Sequence, residues 1–246
     1  MPEISGSHIA IRGIHKSFGS LEALKGIDMD IRPGIIYGLL GPSGCGKTTL
    51  INIMAGILDA SAGEVRIGDK KMPYLEAMNH IGYMAQSDAL YRLLSGRENL
   101  RFFGRLYRMK RPLLEERIAQ VAGLLELSDA LDRRTGEYSG GMKRRLSLAA
   151  ALLHDPDVLL LDEPTVGIDP LLRQSIWEEL RRLADMGKNI FVTTHVMDEA
   201  ERCDELSLMR AGRLVACGTP ENVKRNAQAK DMNEAFIRYS KGGGDA

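Results

Sequence analysis

Apolar residues along the chain first recur in short, dense runs. Ile9–Ile11, Ile27–Ile31, Ile35–Leu40, Val65–Ile67 and Ile81–Met84 are rich in branched side chains and predict strands. The third run ends in a Gly-rich segment, after which a helical pattern extends from Lys47 to Ile57. From about residue 87 the texture changes: branched strand formers thin out, and Leu, Arg, Glu and Ala dominate. Ile118, Val121 and Leu125 keep helical spacing, so 87–154 is expected to be a helical insertion into an α/β body. Strand patterns return at Val158–Leu161 and Ile190–Thr194. Between them Asp169 is placed to cap a helix, with Pro170 at its first position, Gly187 at its end and Leu172, Ile176, Leu180 and Leu183 as its buried stripe. Leu206–Met209 and Arg213–Cys217 flank Ala211-Gly212 as a hairpin, and Thr219-Pro220-Glu221 starts another helix. Strands alternating with helices predict a largely parallel sheet. The final stretch, 241–246, is expected to fray as a disordered tail.

Composition narrows the function classes. The 246 residues carry 33 basic and 33 acidic side chains, so no bulk positive charge draws the chain to nucleic acid. No run approaches the ~18–20 apolar residues of a membrane helix, and the start, Met-Pro-Glu-Ile-Ser-Gly, lacks a secretory pattern. Cys45, Cys203 and Cys217 have no metal-ligand spacing and suit a reducing cytoplasm. His8, His15, His80 and His154 form no ligand-like set and are expected to be structural.

Two segments carry chemistry. Gly41, Pro42, Ser43, Gly44, Cys45, Gly46, Lys47, Thr48 and Thr49 match G-x-x-x-x-G-K-[ST] between a strand and a helix. In that context glycines let successive N–H groups face phosphate oxygens, and the helix N-terminus adds partial positive charge. Lys47 supplies a full charge, and the Thr48 hydroxyl is a ligand for Mg²⁺. Val158–Leu161 runs into Asp162 and Glu163 at a strand's C-terminal end, where α/β sheets bind ligands. Asp162 would hold Mg²⁺ directly or through water; Glu163 would act as a general base or orient the attacking water.

Tyr138-Ser139-Gly140-Gly141-Met142-Lys143-Arg144-Arg145 opens a predicted helix; its Ser139 lies 53 residues after Gln86. This resembles the signature motif of ATP-binding cassette (ABC) ATPases, and the resemblance extends over nearly the whole chain. Phe18 falls where that family stacks an aromatic on adenine, Gln86 at its Q-loop, Asp169 in its D-loop, and His195 at its switch histidine. The resemblance implies an α/β fold: a RecA-like phosphate-loop core (1–86 and 155–240) with an antiparallel β subdomain, and an inserted helical subdomain (87–154) carrying the signature. It implies ATP and Mg²⁺, with Thr48, Gln86 and Asp162 at the metal and Glu163, His195, Lys47 and Gln86 in catalysis. Ser139, Gly140 and Gly141 would serve the nucleotide of a second cassette, in a homodimer or a heterodimer. The function implied is powering a transporter through separate transmembrane permease subunits, from the cytoplasmic face of the cell membrane. Met142, Thr165–Pro170, Met197–Glu201 and Asn233–Phe236 look like exporters of drugs or lipids; importer ATPases and soluble non-transport cassettes are the alternatives.

Two expectations concern single regions. Cys45 sits at a helix N-terminus beside Lys47, surroundings that lower a thiol pKa, so it is expected to react with alkylating agents. Tyr91, Phe102, Phe103 and Tyr107, interleaved with Arg92, Arg97, Arg101, Arg105, Arg108, Lys110 and Arg111, suit a docking face for the permease.

Overall fold

A computed structural model describes residues 8–87 and 89–241. The expected tail lies outside these residues except for Lys241, which belongs to the last helix. In chain order the elements are β1 (Ile9–Phe18), β2 (Leu21–Ile31), β3 (Ile36–Leu40), α1 (Lys47–Met54), β4 (Ala62–Ile67), β5 (Lys70–Lys71) and β6 (Ile81–Met84). Then come α2 (Gly96–Leu106), α3 (Arg111–Leu124), α4 (Gly140–Leu152), β7 (Val158–Asp162), α5 (Pro170–Asp185), β8 (Asn189–Thr194), α6 (Met197–Ala200), β9 (Glu205–Arg210), β10 (Arg213–Gly218), α7 (Pro220–Asn226) and α8 (Met232–Lys241).

Among the described residues the strands form two sheets. One is antiparallel in the order β2-β1-β4-β5; the other runs β10-β9-β3-β8-β7-β6. In the second, β9 through β6 are parallel and β10 returns antiparallel. The hairpin joining β9 to β10 turns on Ala211 and Gly212, both at positive φ, as a two-residue primed turn requires.

The parallel strands β3, β7 and β8 are buried at every position, as strands covered on both faces must be. Side-chain alternation divides them between two cores. Leu39, Val158, Leu160 and Phe191 pack with Leu50, Ile51 and Met54 of α1 and with the antiparallel sheet. Leu159, Leu161, Ile190 and Val192 pack against Leu146 of α4 and against Leu172, Trp177 and Leu180 of α5. Each such fully buried aliphatic contributes about 1.5–3 kcal/mol.

Helix ends follow local chemistry. Asp169 accepts from the Leu172 N–H at 3.0 Å as the cap of α5, and the helix closes where Gly187 takes φ +91. The pattern predicting α1 continued to Ile57, but the helix stops at Met54. There Gly56, at φ +68, starts a Schellman closure: its N–H bonds Ile53 and that of Ile57 bonds Asn52.

Register then positions the site. Leu40 pairs with Thr194, and Asp162 with Thr193. The three segments leaving β3, β7 and β8 therefore emerge side by side at one edge of the sheet, the usual ligand edge of such sheets.

Candidate active site

The loop from Gly41 to Gly46 turns the end of β3 into the start of α1. A Cβ at Gly41 would lie 2.5 Å from the Met209 carbonyl oxygen, and Gly46 adopts φ +113 as the α1 cap. Glycine is the side chain that both positions tolerate. Lys47 is buried and folds back under the loop, donating to the carbonyls of Gly41 at 2.8 Å and Pro42 at 3.2 Å.

Behind Lys47 stand the two carboxylates. Thr48 Oγ1 donates to Asp162 Oδ2 at 2.8 Å and lies 3.4 Å from Gln86 Oε1. Thr193 Oγ1 donates to the other oxygen of Asp162. Glu163 sits at φ +51, a left-handed conformation costing a non-glycine residue about 1–2 kcal/mol. Its N–H is held at 3.1 Å by both the Thr193 carbonyl and Thr193 Oγ1. That bend sends the carboxylate back over the sheet edge. There Glu163 Oε1 lies 3.5 Å from Lys47 Nζ and 3.1 Å from His195 Nδ1.

The structure thus brings Lys47, Thr48, Gln86, Asp162, Glu163 and His195 into one cluster drawn from the ends of β3, β6, β7 and β8. Phe18, at the end of β1, is 49% exposed, and Lys16 Nζ lies 5.2 Å from its ring centroid. Ser139 caps α4, accepting from the Met142 N–H at 3.2 Å, and both Ser139 and Gly140 face solvent. Among the described residues Ser139, Gly140, Gly141 and Asp169 make no hydrogen bond to the cluster. The start of α4 does abut the segment after Glu163: a Cβ on Gly141 would lie 3.0 Å from the Gly167 oxygen.

Three further features were not singled out in the sequence. Arg144 of α4 is buried and laces two motifs together. It donates to the carbonyls of Ala85 at 2.9 Å, Gln86 at 2.7 Å and Glu163 at 2.6 Å, and to that of Asp162. The helical period held its signal, because Arg144 lies four and eight residues before the buried Leu148 and Leu152. Thr193 is the second. The third is Glu199 of α6, also buried, which accepts from Thr194 Oγ1 at 2.6 Å and from Thr165 Oγ1. It ties the segment after Glu163 to the residue before His195.

Cys45 departs from expectation. Its side chain is buried, and burial pushes the thiol up from its ordinary value despite the opposing charge of Lys47. The four remaining histidines pair locally. His15 meets Glu22 at 3.1 Å, His80 meets Asp157 at 2.8 Å, His8 meets Asp30, and His154 stacks on Tyr107.

The family model described as ABC transporter matches residues 24–166. Nod factor export ATP-binding protein I of Burkholderia lata is 39% identical over 231 residues, covering 93% of this chain and 76% of that protein. The chain belongs to the ABC transporter family. A probable multidrug ABC transporter ATP-binding protein of Escherichia coli, YbhF, is 38% identical over 237 residues, 94% of this cassette. The cassette spans only 41% of that relative's length. Among solved structures, an ATP-binding subunit of an ABC transporter superposes with a TM-score of 0.86 at 23% identity, covering 94% of this chain and 99% of that one, and it supports the fold alone. A dimeric ATP-binding cassette in a post-hydrolysis state, bound to ADP and phosphate, has a TM-score of 0.80 at 25% identity, covering 86% of this chain and 98% of that one.

The α/β fold expected from the resemblance is therefore the fold of this cassette, and the family binds nucleotide. The oxygens of Thr48, Gln86 and Asp162 form a hard, oxygen-only donor set of the kind Mg²⁺ takes alongside phosphate. The donor set fits that ion.

Proposed function

We propose that this chain is the ATP-hydrolysing subunit of a membrane exporter for drugs, lipids or other amphipathic compounds. The observation carrying the catalytic part is the Glu163 carboxylate, buried and held between Lys47 and His195 at the sheet edge. Lys47 and the N–H groups of Gly44, Cys45 and Gly46 would bind the β- and γ-phosphates, with Lys47 exchanging its carbonyl partners for phosphate oxygens. Phe18 would stack on the adenine. Thr48, Asp162 and Gln86 would hold Mg²⁺, which when bound neutralises phosphate charge. Glu163 would take a proton from the attacking water, or orient it, and His195 would position Glu163 and the γ-phosphate.

Each chain has one phosphate loop and one Ser139-Gly140-Gly141 turn, so the complete site needs two cassettes packed head to tail. Ser139 and Gly141 of one would close over the nucleotide of the other, and Asp169 would lie at that junction. A similar cassette solved as a dimer with ADP and phosphate supports the pairing of two cassettes. Within the single cassette, 87–154 would form the helical subdomain.

Among the described residues no helix is long and apolar enough to cross a membrane. In this reading transport would use separate permease subunits, with this chain on the cytoplasmic face. Their docking place would be a groove of about 250 Å³ lined by Met78, Tyr83, Leu90, Phe103, Leu106 and Tyr107. Arg97 and Arg101 leave the docking set expected from sequence, because Asp132 and Glu115 hold them within the cassette at 2.7 Å. Export is supported by the names of the similar proteins in E. coli and B. lata.

The deciding experiment is co-purification with a polytopic membrane protein, combined with Mg²⁺-dependent ATP hydrolysis. Phe103→Asp should leave basal ATP hydrolysis intact and abolish co-purification. A chain that hydrolyses ATP but never retains a membrane partner would refute the transport reading while leaving the ATPase standing.

A further inference from the structure

The tip between α2 and α3 carries charge that the fold does not use. Arg105, Arg108, Lys110 and Arg111 fall within seven residues of a chain with zero net charge, and all four are exposed. Among the described residues none of the four forms an ion pair, although Glu115 lies within electrostatic reach of Arg111; Arg101 and Arg97, one and two turns back along α2, are both paired. The nearby acids are engaged elsewhere: Glu115 with Arg101, and Glu116 with the Gln120 amide.

The placement of these cations works against local stability. Lys110 caps the N-terminus of α3, Arg111 is its first residue, and the first turn contains no acid. A helix N-terminus carries partial positive charge, so cations there are disfavoured. Two leucines stand beside them in solvent, Leu106 at 61% and Leu113 at 51% exposure. The tip is nonetheless well anchored: Tyr107 stacks on His154 with ring centroids 3.6 Å apart. A fixed surface that sets unpaired cations around exposed leucines fits an interface of anionic headgroups over acyl chains.

We infer that this α2–α3 tip rests on anionic phospholipid at the membrane surface. Leu106 and Tyr107 also line the groove assigned above to the permease, so a docked cassette would turn the tip toward the bilayer. The orientation rests on that assignment, but the lipid contact does not. Lipid binding can therefore be measured with the chain alone, and its failure would leave the permease reading untouched.

The test is co-sedimentation of the full chain with vesicles of equal parts phosphatidylglycerol and phosphatidylcholine, against pure phosphatidylcholine. Binding should require the anionic lipid and fall steeply between low salt and about 0.5 M, where charge is screened within roughly 4 Å. Each cation near such a surface strengthens binding about fivefold, so the triple variant Arg105→Gln, Lys110→Gln, Arg111→Gln should bind on the order of a hundredfold more weakly. Its thermal midpoint would report whether it folds; should it misfold, the salt series of the native chain decides. Absence of binding to anionic vesicles at low salt, equal binding to both vesicle types, or an undiminished triple variant would overturn the inference. Binding of a glutamate-rich peptide in place of vesicles would assign the tip to an acidic protein segment and overturn it equally.

Discussion

Glu163 Oε1 lies 3.1 Å from His195 Nδ1, and the same oxygen is 3.5 Å from Lys47 Nζ. One carboxylate oxygen therefore links the residue at the end of β8 to the phosphate loop. Phosphate would draw Lys47 forward, leaving Glu163 to water and His195.

We predict that Glu163→Gln, which keeps shape and loses basicity, lowers ATP turnover by ~10²–10⁴. Nucleotide affinity should change little, because the loop and Lys47 remain. The variant should accumulate as an ATP-bound dimer, detectable by light scattering. Turnover at the native rate would remove Glu163 from the mechanism.

Arg144 gives a second prediction. Hydrogen bonds to a charged group are worth about 1.5–3 kcal/mol each, and this guanidinium serves the carbonyls of Ala85, Gln86, Asp162 and Glu163. Arg144→Met should therefore destabilise the cassette by about 3 kcal/mol or more in urea unfolding, and Arg144→Lys should recover part of the loss. Turnover should fall with it, since the Met variant loosens Gln86 and Glu163 together. A Met variant as stable as the native chain would show that these contacts are dispensable.

Sequence reading succeeded where the physics is local. Asp169 and Thr219 announced their helices because a cap is satisfied within three residues. The strand–loop–helix at Gly41–Lys47 and the strand ending at Asp162 were visible for the same reason. It fell short where distant segments decide. Strand β1 was expected only over Ile9–Ile11 but continues to Phe18, because register shifts after Ile11 break the alternation that marks a strand. Thr193 matters only through its register against Asp162, and Glu199 only through Thr165 and Thr194. Neither pairing has a sequence period. The helix N-terminus and Lys47 do lower the Cys45 thiol, but burial beneath the loop outweighs them, and burial there was not legible from spacing.

That outcome reverses the expected chemistry of Cys45. Alkylation proceeds through the thiolate, and burial raises the thiol above its ordinary range. Iodoacetamide should label Cys45 more slowly than the exposed Cys217 at neutral pH, with a rate that climbs only under alkaline conditions. Peptide mapping after timed labelling would separate the two sites. Faster labelling of Cys45 at neutral pH would restore the activated-thiol reading.

His154 supplies a pH dependence remote from the nucleotide site. Its ring stacks on Tyr107, Nε2 contacts the Ile81 carbonyl at 3.2 Å, and burial pulls its pKa down from 6.5 to about 4. The unfolded chain therefore binds this proton at a higher pH than the folded one. The associated stability is fully present above 6.5 and drains away as pH falls toward 4, by about 3 kcal/mol over that window at 1.36 kcal/mol per unit. His154→Phe keeps an aromatic face for Tyr107 and has nothing to titrate. Urea unfolding at neutral pH and near pH 4.5 should show the native chain losing about 2–3 kcal/mol more than the variant. Equal losses in the two proteins would mean that His154 is protonated in the fold as readily as in the unfolded chain.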